Sequence, residues 1–265
     1  MYSSFQLAQK YCRYFLTASN GKGHGIHSPF VYDFVRNVLN DRRDYPAYAR
    51  VESLRQELLR DRTLLEIEDL GAGSALQATR RRSVADLARH AAKSRRLGQL
   101  LFRIARYYQP RSILELGTSL GLSTAYFALA NEEARVLTIE GAGSVAAVAE
   151  KNFRALDLKN VEGAVGNFDD VLPDALDRLG APELVFVDGN HRLDPTLYYF
   201  DWLINRSSPS SILIFDDIHW STEMEEAWKT IREDPRVMLT IDLFFFGLVI
   251  TRDSFKIKQD FVIRF

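Results

Sequence analysis

From residue 112 onward, short apolar runs alternate with amphipathic stretches. The runs are SILELG at 112–117, RVLTIEG at 135–141, VEGAVG at 161–166, LVFVDG at 184–189, SILIFDD at 211–217, VMLTIDLF at 237–244 and FGLVIT at 246–251. Near-continuous apolar runs of this length mark strands buried on both faces, and helical stretches between most of them imply right-handed βαβ crossovers in a parallel sheet. Only the last two runs lack a helix between them, so they form a hairpin around Phe246 and Gly247 and the last strand runs antiparallel. The pattern predicts an α/β fold with a Rossmann-like, seven-stranded, mostly parallel sheet. Residues 1–60 read as two or three helical pieces, interrupted by the loop NGKGHGIHSP at 20–29, where three glycines and a proline break any helix. Residues 1–94 are thus predicted as an N-terminal helical cap and 95–265 as the sheet domain.

Between 84 and 108, Val84, Leu87, Ala91, Leu101, Ala105 and Tyr108 recur at helical spacing, with Arg89, Lys93, Arg96 and Arg103 opposite them. This predicts one amphipathic helix with a basic outer stripe. Composition is that of an ordinary globular chain: 46% apolar, 12% aromatic, net charge -1 over 265 residues, which excludes disordered and collagen-like classes. The neutrality is uneven, because residues 80–111 hold ten basic residues and one acidic one, Asp86, giving +9 there and -10 elsewhere. The bland meaning is a solvated helix face; the sharper one is a contact surface for phosphate or nucleic acid. The single cysteine, Cys12, allows neither an intramolecular disulfide nor a cysteine-based zinc site. No apolar stretch reaches the roughly 18 residues of a membrane span, and the first 20 residues lack a signal-peptide core. A cytoplasmic protein with no membrane contact is expected.

The chemistry gathers at the ends of the predicted strands. The first runs into ELGTSLGLS at 115–123, where Gly117 and Gly121 permit close backbone approach at a helix N-terminus, the usual ligand crevice of parallel sheets. Glu140 ends the second strand 19 residues after Gly121, placed to accept hydrogen bonds from ribose hydroxyls. A rival glycine motif, EDLGAGS at 68–74, lacks a following strand that ends in an acid and reads as a turn or lid loop. Asp188 ends the fourth strand and Asp216 with Asp217 the fifth, so three carboxylates converge and require a cation, a proton or hydrogen-bond donors. Magnesium suits an oxygen-only site. His191 and His219 follow these strand ends, and His191 is the favoured general base. His24 and His27 read as turn residues.

With these motifs in order, the chain resembles the class I S-adenosylmethionine-dependent methyltransferases, and among them the small-molecule O-methyltransferases related to catechol O-methyltransferase. The resemblance covers about residues 95–252 and rests on Glu115, Gly117, Gly121 and Ser123, on Glu140 in TIEG, on GNFDD at 166–170, on VDGNH at 187–191 and on FDDIHW at 215–220. It implies S-adenosylmethionine as cofactor. Glu115, Gly117, Thr118, Ser119, Gly121 and Ser123 would hold its methionine end, Glu140 and Gly141 its ribose, Asn167 and Phe168 its adenine, with Asp188 also on the cofactor side. It implies a methyl acceptor that is a small molecule with a hydroxyl group, with Asp188, Asp216 and His191 catalytic and Asp188, Asp216 and Asp217 holding magnesium. The metal-dependent relatives carry Asp, Asp and Asn there, so Asp217 departs from their pattern, and His191 stands where they have a lysine. Two other readings stay open: an RNA or nucleotide methyltransferase using the basic helix 84–108, and a non-catalytic cofactor-binding scaffold.

Overall fold

A computed structural model describes residues 1–19, 21–23, 26–68, 79–252 and 255–265. The helices are α1 (Ser4–Thr17), α2 (Pro29–Phe34, continued by one π-helical stretch, Val35–Leu39), α3 (Pro46–Leu58), α4 (Val84–His90), α5 (Arg95–Tyr108), α6 (Leu122–Ala130), α7 (Gly143–Ala155), α8 (Phe168–Leu179), α9 (Leu193–Arg206) and α10 (Thr222–Glu233). The strands are β1 (Leu64–Glu68), β2 (Thr79–Ser83), β3 (Ser112–Leu116), β4 (Arg135–Glu140), β5 (Val161–Val165), β6 (Leu184–Val187), β7 (Ile212–Asp216), β8 (Leu239–Asp242), β9 (Phe246–Ile250) and β10 (Gln259–Val262). Two compact units arise: Met1–Asp41 with Ala181–Phe265, and Arg42–Gly180.

In the unit Arg42–Gly180, β3, β4 and β5 pair in parallel in that order. Ile113, Leu114, Leu116, Val136, Leu137 and Ile139 are fully buried there, the two-sided burial that the apolar runs predicted. Each of these strands is followed by a helix, the βαβ alternation of a Rossmann-like fold. The antiparallel hairpin β1–β2 stands apart from this sheet. In the other unit the order is β10-β8-β9-β7-β6. Strands β6 and β7 are parallel, β9 runs antiparallel to both β7 and β8, and β10 runs parallel to β8. Gly247 in β9 is required by packing, since a Cβ there would lie 2.7 Å from the Trp228 ring.

The architecture is the predicted mostly parallel α/β sheet, with three differences. All seven predicted strands form, but β10 follows them, so the antiparallel strand is not the last; β9 lies between β7 and β8. The predicted helix over 84–108 is two helices. The Ser94 hydroxyl accepts from the Leu97 N–H and caps a new helix start, while α4 has already ended at Ala91. The basic stripe is therefore discontinuous, and Arg103 is buried rather than outward. The turn EDLGAGS lies outside the described residues beyond Glu68, as does His24.

Candidate functional site

In the unit Arg42–Gly180, the chain leaves β3 through a turn whose backbone is fixed by the neighbouring strand. The N–H groups of Gly117 and Thr118 both donate to Ile139 O, at 2.9 and 3.2 Å. Gly117, Ser119 and Gly121 adopt positive φ values of 102°, 49° and 78°, a region open to glycine and strained for Ser119. The space a Cβ would need at Gly121 is filled by Phe153 of α7, so this glycine serves close packing of turn and helix. Ser123, in the first turn of α6, is buried.

Glu115 lies beneath this turn, fully buried. Its Oε2 accepts hydrogen bonds from the hydroxyls of Thr124 and Thr138, the latter at 2.7 Å, and Thr138 Oγ1 also lies 2.6 Å from Thr118 Oγ1. Thr124 and Thr138 were invisible as site residues in the sequence, because nothing local marks a threonine that supports a carboxylate from the next strand. Glu140 has a different setting. It is only partly buried at the end of β4, where Oε2 accepts from Ser119 N–H at 2.8 Å and Oε1 from Ala142 N–H at 3.0 Å. One carboxylate thus joins the glycine turn to the start of α7 across the half-buried Gly141, and each oxygen retains a second lone pair for a hydroxyl donor. Beside it, Gly166 N–H donates to Glu140 O at 3.0 Å. Asn167 caps α8, its side chain accepting from Asp169 N–H, and Phe168 is the half-buried first residue of that helix.

The other unit carries the acidic strand ends. Donor atoms of Asp188, His191 and Asp216 all lie within 4.8 Å of one another. Asp216 is buried at the end of β7, and His191 Nε2 is 3.5 Å from Asp188 Oδ1. Two carboxylates at that spacing repel by about 3.5 kcal/mol at an effective dielectric of about 20, so the cluster is built for a balancing positive group. Asp217 is not among the converging groups found in the described residues. It sits in the left-handed region at φ 54°, and its N–H donates to Phe245 O at 2.8 Å. β7 ends at Asp216, and the left-handed turn of the backbone at Asp217 takes that residue out of the strand.

His219 is held at both ring nitrogens: Nδ1 lies 3.1 Å from Glu225 Oε1 and Nε2 2.9 Å from Asp242 Oδ2. Burial alone favours neutral imidazole, but Asp242 and Glu225 outweigh it and hold the His219 pKa above its ordinary value. Glu225 is correspondingly depressed: burial opposes ionisation, and Lys10, Tyr2 and His219 together override it. A histidine bonded to carboxylates on both sides has no nitrogen left for substrate. His27 is exposed ahead of α2.

Residues 114–218 match the family described as Methyltransferase domain. The matched stretch holds the glycine turn, the acidic end of β4 and the acidic ends of β6 and β7. The chain is 33% identical over 124 residues to a catechol O-methyltransferase of Niastella koreensis, covering 46% of this chain and 55% of that protein. It is 32% identical over 154 residues to a catechol O-methyltransferase of Mycobacterium tuberculosis, covering 57% and 66%. The chain thus spans less than two thirds of the length of these relatives. Among solved structures, the O-methyltransferase TomG of Streptomyces achromogenes, in complex with S-adenosylmethionine, aligns with a TM-score of 0.57 at 23% identity, over 84% of this chain and 95% of that one. That likeness shows the fold.

Proposed function

We propose that this protein is an S-adenosylmethionine-dependent O-methyltransferase acting on a small molecule with a hydroxyl group. The observation that carries the reading is Glu140, a partly exposed carboxylate at the end of β4, bonded to the glycine turn and open to further donors. The donor set fits the cofactor: Glu140 would take its ribose hydroxyls and the backbone of residues 117–121 its methionine end. Asn167 and Phe168 would border its adenine, while buried Glu115 would hold the turn in shape through Thr124 and Thr138. The cofactor, when bound, supplies a methyl group on a sulfonium whose departure leaves a neutral thioether. The chain's tasks are to align the acceptor oxygen, a contribution that can reach about 7 to 11 kcal/mol, and to take its proton. His191 is the residue assigned to that proton, its ring standing 3.5 Å from Asp188.

Magnesium is commonly bound through one or two carboxylates with water or substrate completing its shell. Asp188 and Asp216 fit that requirement and would hold it, and it would lower the pKa of an acceptor hydroxyl. Asp217 would not share it. The RNA reading loses its continuous basic helix, and Arg89 is engaged with Asp86 at 3.2 Å. Nothing favours the scaffold reading. Among the described residues no helix is long and apolar enough to cross a membrane, and the cytoplasmic location remains part of the proposal, as does the role of residues 1–94 as an accessory to the domain 95–265.

The test is transfer of a labelled methyl group from S-adenosylmethionine to a panel of hydroxyl compounds, including aromatic vicinal diols as in the named relatives' substrate class, with and without chelator. Label appearing in a methyl ether supports the reading; label appearing only in RNA or on nitrogen overturns it.

A further inference from the structure

The start of the first helix is tied to the turn that follows Asp216. Tyr2 N–H donates to Trp220 O at 3.1 Å, and the Tyr2 hydroxyl donates to Glu225 Oε2 at 2.7 Å. Lys10 Nζ donates to both Glu225 oxygens, at 2.8 and 3.0 Å, and stands 4.3 Å from the Tyr2 ring centroid. Glu225 continues to His219 and His219 to Asp242, which also accepts from Trp228 Nε1–H at 3.3 Å and Phe244 N–H at 2.8 Å. A second route is aromatic. The His219 ring stacks on Phe244 with centroids 5.1 Å apart, and Phe244 packs against Tyr11 and Tyr14 of α1.

Tyr2, Lys10, Glu225 and Asp242 have no place in the chemistry proposed above, yet their contacts converge on residues 217–221. We infer that Glu225 is a positioning residue: with Tyr2 and Lys10 it forms a latch from α1 that fixes the turn behind Asp216, and through it the acceptor side of the site. The inference rests on the proposed methyl transfer. That turn needs external support. Asp217 occupies left-handed backbone space, which a residue with a side chain keeps only where its surroundings over-determine it. Within it Trp220 N–H donates to Asp217 O, and Asp217 N–H donates outward to Phe245 O. The Lys10–Glu225 pair is about one-third exposed, at 34% and 29%, so solvent screens it and its contribution to stability is small. Its contribution is direction: two donors, Tyr2 just ahead of α1 and Lys10 within it, set the angle of the Glu225 carboxylate, and that carboxylate sets the His219 ring.

The experiment compares the full chain with Tyr2→Phe/Lys10→Met, with Glu225→Gln, and with Lys10→Arg as the conservative control. Amide hydrogen exchange by mass spectrometry is read at 217–221, with 114–121 as reference, alongside steady-state kinetics. The double variant should exchange at least about tenfold faster at 217–221 and unchanged at 114–121. Its acceptor KM should rise about three- to tenfold, below the roughly hundredfold that an ångström of misplacement can cost, with kcat and cofactor affinity held. Glu225→Gln should behave in the same way, and Lys10→Arg should restore wild-type values. Unchanged exchange at 217–221 overturns the inference, as does faster exchange with unchanged acceptor KM, or a kcat that falls only in proportion to folded protein. If the wild type binds no S-adenosylmethionine, it is the functional reading that fails; the exchange result still decides whether the latch fixes the turn.

Discussion

Asp188 Oδ1 lies 3.5 Å from His191 Nε2, beyond the range of a good hydrogen bond, whereas both nitrogens of His219 are within 3.1 Å of a carboxylate. The two histidines follow equivalent acidic strand ends, yet one ring is loosely held and 27% exposed while the other is locked. The loose ring is the one to which the proposed proton transfer is assigned. His191→Ala is expected to lower kcat by about 10²- to 10⁴-fold, the usual range for a lost general base, with cofactor affinity intact in calorimetry. Wild-type turnover in that variant would remove His191 from the chemistry.

The locked ring predicts a pH dependence of stability. His219 has a raised pKa in the folded chain, so its contribution is complete below the ordinary histidine value near 6.5 and is lost as pH rises through the folded value. Glu225 has a lowered pKa, so its contribution is present above the ordinary value near 4.5 and is lost as pH falls through the folded one. Thermal unfolding followed from about pH 5 to 9 should show Tm falling as pH rises past the ordinary histidine value near 6.5. His219→Gln should flatten that limb. An equally steep limb in the variant would refute the assignment.

Gly121 combines a φ of 78° with a Cβ position already filled by Phe153. Gly121→Ala therefore meets both backbone strain and overpacking and should cost about 2 to 4 kcal/mol in urea unfolding. Trimming the obstruction with Phe153→Leu should return part of that loss. No recovery would mean that backbone conformation alone sets the cost.

Strands β6 and β7 were legible because LVFV and ILIFD are unbroken apolar runs, buried at every position. β10 was not, because QDFV offers two apolar residues in four. The hairpin β1–β2 was hidden in a similar way: TRRRS carries three arginines in five positions and reads as the edge of a basic segment. The break between α4 and α5 turns on one hydroxyl cap at Ser94, which apolar spacing does not sense. On the site, the strand-end acids Glu140, Asp188 and Asp216 were legible since position and residue type coincide. The latch was not. Tyr2 and Glu225 are 223 residues apart, and no local pattern links them.

If Asp188 and Asp216 hold a divalent cation, Asp216→Asn should abolish chelator-sensitive turnover, while Asp217→Asn should retain most of it because Asp217 lies outside the converging set. Titration with manganese, followed by electron paramagnetic resonance, checks this without reference to activity. Equal loss of manganese binding in both variants would put Asp217 back into the site.

Calorimetric titration of S-adenosylhomocysteine into the wild-type chain and into Glu140→Ala tests the central claim most directly, because it requires no knowledge of the acceptor. Saturable binding is expected in the wild type, weakened in the variant by about 1.5 to 3 kcal/mol, the range for hydrogen bonds to a charged group. No binding to the wild type, or tighter binding of a nicotinamide dinucleotide, would contradict it.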